Sequence, residues 1–223
     1  MPVDYSGQDL RGRDFSGQDL SRANLTNANL IGANLTRATL IDAGLEDANL
    51  TGANLEGADL SGADLIGADL TRANLEGANL TRANLTRANL FNANLIGANL
   101  TDADLTGANL TGADLRGATL TRANLRSANL GIFDPSTFNP SIFDPGTVNL
   151  VSADLRGANL TRANLSGATL TRANLRSANL IGATLTGANL TDADLTDAVR
   201  RPGISRIDME GADGLETVKG LID

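Results

Sequence analysis

Leucine recurs every fifth residue through most of this chain, a period that neither a helix nor a plain strand can use. Leu10, Leu20, Leu25 and Leu30 begin a series that runs to Leu195, with Tyr5 and Phe15 filling the same slot near the start. Two residues before nearly every Leu from Ala23 to Ala193 stands Ala, and between them stands Asn or Asp, or Thr at 39, 119, 169 and 184, with Gly at 44. The unit therefore reads Ala-Asn/Asp-Leu-x-x. A helix of 3.6 residues per turn would spread the Leu positions around its whole circumference, and it would have to carry many Asn, Thr and Gly residues, which are poor helix formers. Ala and Leu, two apart, share one side of an extended segment. The two residues that follow then turn the corner. Gly is frequent at the second of them (Gly52, Gly57, Gly62, Gly67), as a turn with positive φ would want. Arg22, Arg37, Arg72, Arg82 and Arg87 hold the same slot, so more than one turn type is expected, with positive φ not required everywhere.

A disordered low-complexity tract is the alternative. It has no need of strict Ala and Leu placement, whereas a packed interior does. The pattern resembles the pentapeptide-repeat family, over about residues 5 to 198. That resemblance implies an all-β fold, a right-handed quadrilateral parallel β-helix with four pentads per coil. Leu would stack inside on all four sides with Ala in the smaller inward slots, and each coil would stabilise its neighbour. Nine or ten coils at about 4.8 Å each would give a rod about 45 Å long.

Residues 131–150 read GIFDP STFNP SIFDP GTVNL. Phe133, Phe138 and Phe143 replace Ala, and Pro135, Pro140 and Pro145 replace Leu. Phe in an Ala-sized slot overpacks by roughly 1–3 kcal/mol, and Pro removes a ladder donor. The segment is the length of one coil, so its excision would join Leu130 to Val151 without rotating any face. We read it as a loop extruded from the solenoid; the alternative is a distorted coil that stays in the stack. Residues 199–223 also leave the repeat. Pro202-Gly203 is a break signal, and Leu215, Val218 and Leu221 or Ile222 fall at helical spacing. A short helix or irregular cap over the last coil is expected, with a frayed tail as the alternative. The N-terminus shows no comparable cap before Tyr5. The domain plan is a solenoid over 1–198, interrupted at 131–150, then a cap over 199–223.

Stacking residues twenty apart predicts the outer columns. One reads Arg22, Asp42, Gly62, Arg82, Asp102, Arg122, Arg162, an ion ladder. Beside it runs Ser21, Ile41, Ser61, Thr81, Thr101, Thr121, Thr161, the arrangement an ice-binding face would use; the charges interleaved with it argue for Thr as a β-compatible outer residue instead. A third reads Asn34, Asn54, Asn74, Asn94, Asp114, Asp154, whose amides can bond along the stack. Asp114 and Asp154 lie in matching ADLRGA segments, with Arg116 and Arg156 to neutralise them. RGATLTRANLRSANL at 116–130 recurs almost unchanged at 166–180. A shift of two and a half coils would put the copies on opposite faces, which argues against one continuous functional face.

The formal charge is −8, with no Cys, His or Trp. Direct binding of nucleic acid wants a basic patch, and none is expected here. Without Cys or His there is no thiolate nucleophile and no imidazole base. No catalytic residues, metal site or cofactor are expected. No apolar run reaches membrane-spanning length, and Met1–Tyr5 lacks signal-peptide features; the expectation is a cytoplasmic protein. The reading is a non-catalytic scaffold or interaction solenoid with an unknown protein partner, engaged through Phe133, Phe138 and Phe143, since aromatic residues dominate binding hot spots. A homodimer through a solenoid end stays open. The resemblance supplies an alternative, because that family includes quinolone-resistance proteins that mimic DNA and bind topoisomerase (gyrase).

Overall fold

Each pentad accounts for its own backbone donors, and this accounting builds the fold. The computed structural model describes residues 2–130, 148–161, 163–198 and Gly214. In a representative pentad, the Leu75 N–H donates to the Asn94 carbonyl of the next coil (2.7 Å) and the Gly77 N–H to the Ile96 carbonyl (2.9 Å). The Asn79 N–H reaches back to the Ala58 carbonyl (2.9 Å), and the Ala78 N–H closes a turn on the Leu75 carbonyl (3.0 Å). The remaining donor, the Glu76 N–H, is taken by the Asn74 side-chain Oδ1 at 3.2 Å. This last bond explains the Asn/Asp slot. A short side chain with an acceptor oxygen bonds the N–H two residues on, an Asx turn, and so satisfies a donor that the ladders leave out.

Residues in that slot form parallel bridges to their equivalents in the next coil: Asp4, Asn24, Gly44, Asp64 on one side; Asp9, Asn29, Asn49, Asp69 on the next; then Asp14, Asn34, Asn54, Asn74; then Asp19, Thr39, Asp59, Asn79. Four ladders at a step of 20 residues make a four-sided β-helix whose sides are single rungs joined by turns. From Leu25 to Leu195 every inward Leu and Ala is buried, as expected of stacked interior columns.

All corners have one form. The second turn residue lies at positive φ wherever it is described, at Arg72 (56°) and Arg82 (59°) as at Gly77 (62°). The expectation of mixed turn types is therefore corrected. Parallel stacking makes each corner copy its neighbours, and positive φ at the third residue of the turn is the type II pattern. A non-glycine residue is held there at a cost of roughly 1–2 kcal/mol.

The break is shorter than expected. Asp114 bridges to Asn149, Thr119 to Asp154, Asn124 to Asn159 and Asn129 to Asn164, a step of 35 in place of 20. Val148 and Leu150 are fully buried, and the Leu150 N–H donates to the Thr169 carbonyl at 2.8 Å. The pentad 146–150 thus supplies a regular rung, and 131–150 does not leave the solenoid as a unit. The physical reason is side-chain fit: Val148 and Leu150 suit the slots that Phe and Pro do not. Three pentads, 131–145, are what the ladders skip. Residues 131–147 lie outside the described residues, and with them the choice between loop and distorted coil.

Skipping three pentads turns everything beyond the break by one face. Arg122 is therefore followed in its column by Gly157, and a Cβ at Gly157 would lie 3.6 Å from the Arg122 side chain. Asp154 follows Thr119 and not Asp114, and Thr161 follows Arg126 and not Thr121. The duplicated segments fall on neighbouring faces: Thr119 belongs to one ladder and Thr169 to the adjacent one, with Asp114 and Asn149. Of the expected cap over 199–223, only Gly214 is described. It lies against the last coil so closely that a Cβ would meet the Thr191 backbone nitrogen at 2.7 Å.

Candidate functional site

The candidate binding residues Phe133, Phe138 and Phe143 lie outside the described residues. What can be built is the place where the ladders skip them. Leu130 is the last rung residue before the jump and Val148 the first described after it. The outer column Thr71, Phe91, Thr111 leads up to this level, shown by Arg72 N–H donating to the Phe91 carbonyl (2.9 Å) and Asn92 N–H to the Thr111 carbonyl (3.0 Å). Asn129 donates through Nδ2 to Thr111 Oγ1 at 3.0 Å and accepts from Asn164 Nδ2 at 3.2 Å, so side-chain bonds cross the jump. Thr111 is 2% exposed, whereas Thr51 and Thr71 below it are only partly buried.

Phe91 is a residue the sequence reading missed. It stands half-buried on that corner, between Thr71 and Thr111 in its outer column. The signal was available: an aromatic ring in a position that faces outward. Ile31 and Ile41 are further apolar residues in outer slots and are exposed.

The remaining outer surface is largely bonded to itself. Asn74 Nδ2 donates to Asn54 Oδ1 (3.1 Å) and Asn94 Nδ2 to Asn74 Oδ1 (3.0 Å), as the Asn column implies. At Asp114 the donors end, because a carboxylate only accepts; Arg116 pairs with it at 2.7 Å. Arg156 pairs with Asp154 at 2.6 Å and holds that carboxyl below its ordinary range. In the Arg/Asp column the Arg122 Nε donates to Asp102 at 2.6 Å. This bond keeps the Asp102 carboxyl low, with Arg82 adding to the effect. The threonine hydroxyls point inward chemically: Thr81 Oγ1 donates to Asn79 Oδ1 (2.6 Å) and Thr101 Oγ1 to Asn99 Oδ1 (2.7 Å). Their column continues from Thr121 to Arg156, so its unbroken Thr run is Thr81, Thr101 and Thr121.

Glu46 goes the other way. Asp64 of the following coil pushes its carboxyl above the ordinary value, and Asp47 adds to this. The corner is thus crowded with negative charge. Among the described residues no group of three or more acidic, His or Cys side chains is placed to hold a metal ion, and no helix is long and apolar enough to cross a membrane. An open cleft of about 550 Å³ at the first coil is lined by Pro2, Val3, Asp19, Ser21, Arg22, Ile41 and Asp42.

The family model described as pentapeptide repeats matches in overlapping copies from 9–47 through 98–131 and again over 149–187 and 173–199. The chain is 35% identical to HetL, a pentapeptide repeat protein involved in heterocyst differentiation regulation from the cyanobacterium Nostoc sp. strain PCC 7120. That match covers 90% of this chain and 92% of that one, with a TM-score of 0.40. It is 20% identical to QnrB1, a plasmid-mediated fluoroquinolone resistance protein, over 92% of this chain and 90% of that one, with a TM-score of 0.43. It is 38% identical to a pentapeptide repeat protein of the Arabidopsis thaliana thylakoid lumen, over 54% of this chain and 66% of that one, with a TM-score of 0.21. No curated protein matches the chain. With the repeat model matching on both sides of the break and the ladders running through it, the chain belongs to the pentapeptide-repeat family, whose fold is the right-handed quadrilateral β-helix.

Proposed function

We propose that this chain is a non-catalytic scaffold that binds another protein through the three pentads skipped by the ladders, with Phe133, Phe138 and Phe143 as anchors. The observation behind this reading is the step of 35. All four ladders continue across it, and the side chains of Asn129 and Asn159 are bonded to partners on the far side of the break. The solenoid thus carries fifteen extra residues at no loss of a rung. Those residues concentrate three of the five Phe in the chain and three of the five Pro. Aromatic side chains contribute large contact area at modest entropy cost. The surrounding surface has its amides, carboxylates and hydroxyls bonded internally, which suits a rigid support.

The test compares the wild-type rod, a deletion of 131–145 and the triple variant Phe133→Ala, Phe138→Ala, Phe143→Ala as baits, with bound proteins quantified by mass spectrometry. Both variants are expected to lose the same partner. Full retention by both would place binding on the rod itself.

A second reading is a DNA-like acidic rod that engages a topoisomerase. The crowding of Glu46, Asp47 and Asp64 on one corner favours it. It predicts inhibition in a DNA supercoiling assay at low protein excess; unaffected supercoiling at a large excess removes it.

A further inference from the structure

The first coil differs from all others in what fills its inward slots. Where later coils carry Ala, it carries Val3, Gln8, Arg13 and Gln18. All four are exposed, yet the core beneath them is shut. Leu10, Phe15 and Leu20 are 1%, 2% and 3% exposed, although no described coil stacks on their N-terminal side. Tyr5 and Phe15 meet edge to face with ring centroids 5.8 Å apart, and the Arg13 guanidinium lies over the Phe15 ring at 5.7 Å.

The backbone edge is blunted as well. Within the rod, each Asn/Asp-slot carbonyl accepts from the coil before it. In the first coil two of these carbonyls are taken by side chains: Gln8 Nε2 donates to the Asp4 carbonyl (3.1 Å) and Gln18 Nε2 to the Asp14 carbonyl (3.2 Å). Both Gln residues come from the repeated pentad Ser-Gly-Gln-Asp-Leu at 6–10 and 16–20. The rung residues of this coil are all Asp, at 4, 9, 14 and 19, and their Asx-turn and Arg11 bonds keep them charged.

We propose that the first coil is a closing cap that bars the N-terminal edge of the rod from pairing with an edge of a second copy of this chain. Another coil would have to approach to about 4.8 Å, into space that the Gln and Arg side chains occupy. It would also find two of the four rung carbonyls already bonded, and two such ends would face each other with like charges. Native sheets protect exposed edges by the same means: charge and covering side chains. Any end-to-end dimer of the native chain then uses the other end, where Gly214 lies on Thr191.

The absence of Cys makes a clean probe available. Ser6→Cys places a single thiol at this end, to be read by bismaleimide cross-linking alongside sedimentation velocity, which reports association of either polarity. In the otherwise native rod little cross-linking and no concentration dependence from this end are expected. With Gln8→Ala, Arg13→Ala and Gln18→Ala added, cross-linked or associated species should rise at least tenfold at equal concentration. The proposal is overturned if the native rod cross-links as readily as the variant, or if the folded variant stays unassociated. Should the triple variant lose its β circular dichroism, Gln8→Met with Gln18→Met keeps the cover and removes the amide donors. A rise of at least threefold supports the cap, and no rise overturns it.

Discussion

The inward slot of the repeat behaves differently in the first coil and in the middle of the rod. Ala58, Ala78 and Ala98 stack in one column and are fully buried. Gln8, Arg13 and Gln18 occupy equivalent slots and reach solvent. The pentad's own turn and Asx bond are present in both places: Ala78 closes on Leu75 and Gln8 on Tyr5. The size limit at this slot therefore does not come from the pentad. It comes from the neighbouring coil on the N-terminal side, which leaves no volume beyond a methyl group.

Substituting the same large residue in both places gives the largest contrast. Ala78→Phe must displace the coil on its N-terminal side and should destabilise by about 3 kcal/mol or more. Gln8→Phe has open space and should change thermal stability by less than about 1 kcal/mol. Equal melting temperatures for the two variants would refute the packing argument.

The break allows a second contrast, between two deletions five residues apart. Removing 131–145 joins Leu130 to Gly146 and keeps every observed rung pair, so the melting transition should stay close to that of the native rod. Removing 131–150 discards the buried Val148 and Leu150 and turns the later coils by one face. Asp114 would then oppose Asp154, and Arg116 would oppose Arg156. Like charges directly opposite are destabilising. This deletion should still give β-rich circular dichroism, with a loss of about 1–2 kcal/mol relative to the shorter one. Indistinguishable stabilities would mean that the register across the break is not the one described.

Most of the rod was legible in the sequence, because each slot admits few residue types. Leu and Ala mark the interior, and the Asn and Asp columns are visible by counting. The error at the break had an identifiable cause. Phe and Pro in slots meant for Ala and Leu end at Pro145, and Gly146–Leu150 already fits the repeat with Val148 in the small slot. Conserving faces across the break would require a twenty-residue segment, one pentad more than the Phe and Pro residues mark. The uniform corners were not legible, since Arg, Asn, Asp and Ser are not residues that demand positive φ; only stacking imposes it. Nor was the cap, since Gln8 and Gln18 look like imperfect repeats until their amides are seen on the Asp4 and Asp14 carbonyls.

The rung slot gives a smaller contrast. Asn74 Oδ1 accepts from the Glu76 N–H and from Asn94, while its own amide donates to Asn54. Asn74→Ala removes all three bonds from a partly buried site and should cost about 2 kcal/mol. Asp14→Ala at the edge removes the bonds from the Ser16 N–H and Asn34 at an exposed site, and about 1 kcal/mol is expected. Chemical denaturation of the two variants orders them; a reversed order would show that exposure does not weaken the rung.

The smallest effect concerns charge, and here the first coil and the adjacent corner have opposite signs. Hydrogen bonds to Asp4, Asp9, Asp14 and Asp19 hold their carboxyls below the ordinary 3.8. A carboxyl lowered on folding contributes stability that is present above its unfolded pKa and lost as pH falls through the folded one. The contribution of these four is therefore full above about pH 3.8 and is lost only as pH falls below it. Glu46 is raised above 4.5, chiefly by Asp64, so its ionised form opposes folding at neutral pH. That penalty is relieved as pH falls through its folded pKa toward 4.5. Glu46→Gln should then raise the melting temperature slightly at pH 7 and leave it unchanged near pH 4. Both groups are at the surface, and salt should shrink the Glu46 effect because exposed charges are screened. A Glu46→Gln variant that melts lower than the native rod at pH 7 would mean that the side chain contributes packing or hydrogen bonding that outweighs its repulsion from Asp64.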